Sequence, residues 1–214
     1  MSVSRDKIIG ALAEARDKAK ERAFEQSVDL TVNFKDLDLR QPDNRVNLRI
    51  SVPNGIGGQK VLVFASGDLA LRARRAGADR IIEPNELSEL ASDRKEAKRR
   101  LKDYDIFVAE APLMPTVGRV AGPILGPRGK MPVPVPPQAP IDTILDRERR
   151  TVILRSRERP FVKCKVGKES MSNEDLAENI ETILTNIVET LKRGVNNIGS
   201  VYVKLTMGSA VKLL

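Results

Sequence analysis

An α+β architecture is the fold class that this 214-residue sequence predicts: a four-stranded layer under two helices, built from both ends of the chain, with a small parallel α/β unit inserted between them. Three observations lead there. Residues 28–34 and 46–52 alternate apolar and polar, as strands do in a sheet with one wet face. The middle of the chain instead alternates short helices with buried strands, the continuous apolar run 61–65 and the apolar strand 105–109, as a parallel sheet covered on both faces does. After Arg159 the first texture returns. The expected parts are therefore residues 1–66 together with 158–214, and residues 67–157 as the insertion.

Taken in order, residues 4–23 read as a helix capped by Ser4, with Ile8, Leu12, Ala15 and Ala19 on one stripe and a charged opposite face. In strand 28–34, Val28, Leu30, Val32 and Phe34 point inward and Asp29, Thr31 and Asn33 outward. In strand 46–52, Val46, Leu48, Ile50 and Val52 point inward. Residues 36–45, with Pro42-Asp43-Asn44, form the loop between them, and Gly55-Ile56-Gly57-Gly58 is a turn cluster. Strand 61–65 is followed by a helix from Asp68 to its stop at Gly77, a short strand at Ile81-Ile82, and a helix capped by Asn85. A charged helix, 93–102, then precedes strand 105–109. Residues 122–140 hold seven Pro and three Gly. A structureless stretch of that length inside a compact domain is more often functional or disordered than a plain linker. Strand 151–154 leads to strand 161–166, where Lys163 and Lys165 interleave with apolar residues. Helix 173–192 is the strongest of the chain: Leu176, Ile180, Ile183, Leu184, Ile187 and Leu191 form a wide apolar face, and Gly194 ends it. The last strand, 200–206, turns Val201, Val203 and Leu205 inward and Ser200, Tyr202, Lys204 and Thr206 outward.

Composition narrows the function. The chain has 37 Lys and Arg against 29 Asp and Glu, a net charge of +8, with no His, no Trp and one Cys. Without His there is no Ser-His-Asp or Cys-His catalytic machinery, and one Cys supplies neither a structural zinc site nor an internal disulfide. No metal, cofactor or catalytic residue is expected. No apolar run approaches the ~20 residues of a membrane span, and the start, MSVSRDK, lacks the apolar stretch of a signal peptide. A cytoplasmic protein without membrane partners is expected. A basic balance favours a polyanion, nucleic acid first. At 3% aromatic residues, RNA recognition would rest on backbone groups, polar side chains and shape more than on stacking.

The motifs agree with a binding protein. Gly55-Ile56-Gly57-Gly58-Gln59-Lys60 precedes a strand rather than a helix, the reverse of a dinucleotide fingerprint, and reads as a tight connector. In Gly126-Pro127-Arg128-Gly129-Lys130-Met131-Pro132 a Walker loop's first Gly would fall at Ile124, and Met131 stands where Ser or Thr should hold magnesium. That excludes an NTPase and leaves Arg128 and Lys130 as phosphate contacts on a Pro-stiffened loop. The charged helix 93–102 reads first as a solvated face, and Cys164 as a core residue. Thr206-Met207-Gly208 closes the last strand: the Gly admits a close backbone, Met207 suits packing on a ribose or base, and Thr206 suits a 2′-hydroxyl.

Three segments carry a resemblance. LGPRGKMPVPVP (125–136), CKVGKESM (164–171) and SVYVKLTMGSAVKL (200–213) are similar to the large-subunit ribosomal protein L1 family, the universal stalk protein, and the Lys after GPRG fits its archaeal form. The resemblance runs over essentially the whole chain. It implies a discontinuous four-stranded α+β sandwich with an inserted Rossmann-like α/β domain, and no enzyme. It implies a constituent of the large ribosomal subunit that is a monomer when free. The partners it implies are the rRNA stalk, the exit-site tRNA whose deacylated form is helped to leave, and an rRNA-like site on the protein's own mRNA leader, where translation is repressed. The family's RNA-binding positions map onto Phe24, Gly167, Lys168, Ser170, Thr206, Met207 and Gly208. The GPRGK loop adds secondary contacts at Gly126, Arg128, Gly129 and Lys130. Thr31, Asn33 and Lys165 join the first set from their position on the strands.

Overall fold

The computed structural model of the chain describes residues 4–41, 44–156 and 159–214. The Pro42-Asp43 part of the expected loop and the expected boundary at 157/158 lie outside the described residues. In chain order the elements are α1 (Arg5–Asp17), β1 (Ser27–Phe34), β2 (Asn47–Ser51), β3 (Val61–Phe64), α2 (Gly67–Arg75), β4 (Arg80–Ile82), α3 (Pro84–Ser92), α4 (Arg94–Leu101) and β5 (Ile106–Glu110). There follow α5 (Met114–Val120), α6 (Gly122–Leu125), β6 (Val133–Val135), α7 (Ile141–Arg149), β7 (Thr151–Arg155), β8 (Phe161–Lys168), α8 (Asn173–Thr190), β9 (Ile198–Leu205) and β10 (Val211–Lys212).

The chain divides into two compact units, Met1–Gly57 with Arg150–Leu214, and Gly58–Arg149. These limits differ from the expected 1–66, 158–214 and 67–157. β3 belongs to the second unit because it pairs in parallel with β4 and β5, and β7 belongs to the first because it pairs antiparallel with β2. Hydrophobic texture identifies a strand but not its partner, and both strands lie beside a crossing between units.

In the first unit an antiparallel sheet runs in the order β10-β9-β1-β8. The strand expected at 46–52 is not its fourth member; among the described residues β2 pairs only with β7, and the short β10 completes the four. Val28, Leu30, Val32 and Phe34 of β1 meet Val162, Cys164 and Val166 of β8 and Val201, Val203 and Leu205 of β9 in one core. Ile8, Leu12 and Ala15 of α1 and Leu176, Ile180, Ile183 and Ile187 of α8 cover it. This leaves the other face of the sheet wet. α1 stops at Asp17 rather than running to residue 23, and its last buried residue is Ala15. Asn179, fully buried on α8, accepts from the Asn54 amide at 3.1 Å and donates to the Gly55 and Val166 carbonyls at 2.8 and 2.9 Å, so the Gly-rich turn is nailed to the helix and to β8.

The second unit is a parallel sheet in the order β4-β3-β5-β6. α2 and α7 bury Leu69, Ala73, Ile141 and Leu145 on one face. α3, α4, α5 and α6 bury Leu87, Leu101, Val117 and Leu125 on the other. The Pro-rich stretch is ordered: it holds α6 and β6, and the Arg72 guanidinium gathers its end by donating to the Ala139 carbonyl at 2.9 Å and to that of Pro137.

Candidate nucleic-acid interface

The start of β1 is where the sequence-derived residues meet. β1 is central in its sheet, so its first residues lie between the end of β8 and the end of β9. Gln26, 1% exposed, bonds to both turns: its side-chain oxygen accepts from the Met207 amide at 3.0 Å, and its carbonyl accepts from the Glu169 amide at 2.9 Å. The Glu169 carboxylate in turn accepts from the Gln26 amide at 3.2 Å. Thr206 closes the other side. Its hydroxyl accepts from the Ser27 amide at 3.0 Å and donates to the Ser27 carbonyl at 3.2 Å. One acceptor position on that oxygen is left, the right one for a ligand hydroxyl that donates. Gly208 is tight: an added Cβ would stand 3.3 Å from the Leu205 Cβ and 3.5 Å from the Ala19 Cβ.

Two large apolar side chains stand out of this frame, Phe24 at 53% and Met207 at 58% exposure. Beside them the Lys168 ammonium pairs with the Glu25 carboxylate, which also accepts from the Ser170 hydroxyl at 2.5 Å. The Lys168 bond, then the Ser170 bond, holds the Glu25 carboxyl below its ordinary value. The Lys168 stem runs over Gly57, whose positive φ and missing side chain make room, since an added Cβ would lie 3.0 Å from the Lys168 Cδ. Lys165 donates from its ammonium to the Gly57 carbonyl at 2.9 Å. The Gly-rich turn thus serves as the seat of two lysines.

Gly167 has a different part. It is buried at a bulge, where the β1–β8 register slips between Val28 and Asp29. An added Cβ would meet Met171 Sδ at 2.7 Å and Leu176 Cδ2 closer still. It fixes the turn that presents Lys168 and Ser170 rather than offering a surface of its own. Thr31 and Asn33 lie further along the wet face, Asn33 up to ~20 Å from the cluster at ~3.3 Å per residue. There Asn33 donates to the Ser200 hydroxyl at 2.9 Å. That face also carries Lys163, paired with Asp29 at 3.0 Å, together with Tyr202, Lys204 and Lys212.

The GPRGK loop belongs to the second unit and is a compact turn. The Gly126 amide donates to the Gly122 carbonyl at 2.8 Å, the Lys130 amide to the Leu125 carbonyl at 3.1 Å, and Gly129 takes φ +72°, which favours glycine. The Lys130 ammonium is spent inside the unit, on the Tyr104 carbonyl at 3.0 Å and Asp105 at 2.9 Å. Arg128 is exposed.

The same unit bears on a nucleotide reading. In a sheet of this kind a nucleotide binds at the carboxyl ends of the strands, where the strand order reverses. Here that point lies between β3 and β5, and the Glu110 carboxylate fills it, accepting from the Ser66 amide at 2.9 Å and its hydroxyl at 2.8 Å. The amide a phosphate would use already holds an anion. Among the described residues no group of His, Cys, Asp or Glu forms a metal site, and no helix is long and apolar enough to cross a membrane.

Sequence reasoning missed Glu25, Gln26 and Glu169. Nothing in an alternating pattern marks a residue that bonds sideways to two turns. The signal the sequence offers is a run of three polar residues, Glu25 to Ser27, between Phe24, which the resemblance marks, and the strand.

Comparison with known proteins adds to the geometry. The family model described as ribosomal protein L1p/L10e matches residues 15–209. The large ribosomal subunit protein uL1 of Pyrococcus horikoshii is 48% identical over 215 residues, covering 100% of this chain and 98% of the relative. The proteins of the same name from Methanothrix thermoacetophila and Archaeoglobus fulgidus are 45% and 42% identical, covering 98% and 100% of this chain and all of each relative.

Proposed function

The chain belongs to the ribosomal protein L1p/L10e family, in its archaeal form, and from that membership we propose that it seats the rRNA of the large-subunit stalk on the cluster at the start of β1. It is a ribosomal protein of the large subunit and not an enzyme. The observation that carries the assignment of the surface is the pair of exposed apolar side chains, Phe24 and Met207, set in a rigid polar frame beside Lys168 and Ser170.

The chemistry follows from that frame. Phe24 and Met207 pack on ribose or base faces that a folded RNA leaves unstacked. Thr206 accepts from a 2′-hydroxyl through its free position. Lys165 and Lys168 exchange their present acceptors for phosphates and release counterions. Because Gln26, Thr206 and Gly167 fix the two turns, little ordering remains to be done on binding. Arg128 adds a phosphate contact from the second unit. The same recognition of shape extends to an rRNA-like site in the protein's own mRNA leader, where binding represses translation, and on the ribosome the stalk so formed assists the departure of deacylated tRNA. The cell compartment is the cytoplasm, where the ribosome works.

The test is binding of the full chain to a stalk rRNA fragment and to a scrambled RNA of equal length across a salt series. Preference for the stalk fragment that persists as salt rises is the expected result. Equal, salt-labile binding to both RNAs overturns the reading.

A further inference from the structure

Helix α4 carries charges that the fold does not use. Its buried residues are only Ala97 and Leu101. Asp93 caps it, accepting from the Lys95 and Glu96 amides at 2.8 and 3.1 Å. Glu96 accepts from Arg99 at 3.0 Å and Arg100 at 2.8 Å, and Arg100 also reaches Glu86 at 2.8 Å. Glu86 and Glu96 are thus engaged. Arg94, Lys95, Lys98 and Lys102 stay exposed and make no ion pair among the described residues. They form one stripe about 12 Å long, at 1.5 Å of rise per residue.

A solvated helix face does not account for this stripe. Arg94 and Lys95 sit in the first turn, where the helix dipole disfavours cations. Arg94 with Lys98, and Lys98 with Lys102, are like charges four residues apart, which weakens a helix. Where pairing serves the fold, an acid is supplied, as Glu86 and Glu96 are for Arg100. None of the four stripe cations has such a partner among the described residues. The arrangement costs the free protein stability and suits a polyanion.

We propose that α4, with Lys102 at its C-terminal end, is a further, sequence-independent RNA contact of this protein, laying Arg94, Lys95, Lys98 and Lys102 along the phosphates of one RNA strand. The identity of the partner rests on the reading above, but the contact is separate from the β1 cluster and from the GPRGK loop. A strand backbone is the partner whose evenly repeated charge matches a straight row of cations.

The test uses the full chain with Arg94→Gln, Lys95→Gln, Lys98→Gln and Lys102→Gln together. Gln is a good helix former, so α4 persists, and a melting curve verifies it; Lys98→Gln with Lys102→Gln serves should the fuller variant fail to fold. Affinity for the stalk rRNA fragment and for the scrambled RNA is measured across a salt series. The log–log salt slope is expected to become shallower by about 3 on both RNAs, at roughly 0.7 per phosphate contact, or by about half that for the double variant. The preference for one RNA over the other is expected to stay unchanged. Unchanged slopes on both RNAs overturn the proposal and assign the stripe to an acidic protein surface. Failure of the rRNA reading itself would show in the unmodified protein, as absence of preference, and would leave the slope comparison intact.

Discussion

Replacing Gly167 by alanine tests the packing that supports the candidate site at the end of the first unit's sheet. Gly167 is not among the glycines with positive φ, so alanine meets no backbone strain there. The whole cost is steric. The new methyl would lie 2.7 Å from Met171 Sδ and nearer still to Leu176 Cδ2, against a favourable separation of about 3.5–4.0 Å for carbon. Both obstacles are side-chain ends that yield, and overpacking of this kind costs about 1–3 kcal/mol. With a urea m value of ~1.5 kcal/mol/M, the midpoint falls by on the order of 1 M. The chain has no Trp and two Tyr. Tyr202 lies in the first unit and Tyr104 in the second, so Tyr202 fluorescence in a Tyr104→Phe background reports the first unit alone. Affinity for RNA should fall several-fold as well, since Met171 belongs to the turn of Lys168 and Ser170, and the Lys168 amide donates to its sulfur at 3.5 Å. Met171→Ala removes one obstacle, so the double variant should lose less than the sum of the two single losses. An unshifted midpoint for Gly167→Ala, or strict additivity with Met171→Ala, would refute the reasoning.

Further outcomes are expected at Cys164 and Arg72. Burial, with the Asp29 charge second, pushes the Cys164 thiol up to about 12 from an ordinary 9.0. An acid raised in the fold loses its proton first in the unfolded chain, so stability declines as pH climbs from about 9 toward 12. At pH near 8.5 a thiol reagent should label Cys164 only as fast as the unit opens, and immediate labelling of the native protein contradicts this. Arg72→Ala frees the 137–140 segment from its guanidinium clamp. Proteolysis within 131–140 should quicken while the unit loses only about 1 kcal/mol, and unchanged cleavage there would show that the clamp is dispensable.

Much of this molecule is written in its periodicities. β1 and β9 follow from strict alternation, and α8 from a wide apolar face, because one-sided burial leaves a period that local sequence records. Partners are not recorded. Nothing in residues 46–52 says that β2 bonds to β7 across about a hundred intervening residues, and β10 is too short to show a period. α5 and α7 are not legible in the sequence because Pro in and before them reads as irregular chain, although Pro at a helix start costs nothing. In the candidate site, Thr206 and Met207 were legible as a strand end with exposed groups. Gly167 enters only through the resemblance, since no periodicity shows that Leu176 and Met171 leave no room for a side chain there. Gln26, which ties both turns together, is visible only once three strands lie side by side.

The most direct test of the central claim is Met207→Asp. Met207 is more than half exposed, so the change should alter stability by no more than about 0.5 kcal/mol. It replaces the apolar contact proposed for a ribose or base with a carboxylate. The quantity to measure is the ratio of affinities for the stalk rRNA fragment and the scrambled RNA at one fixed salt concentration. A folded variant whose ratio drops about tenfold or more, equivalent to some 1.4 kcal/mol, is the predicted result. A folded variant that keeps the full ratio would place rRNA recognition elsewhere on the protein.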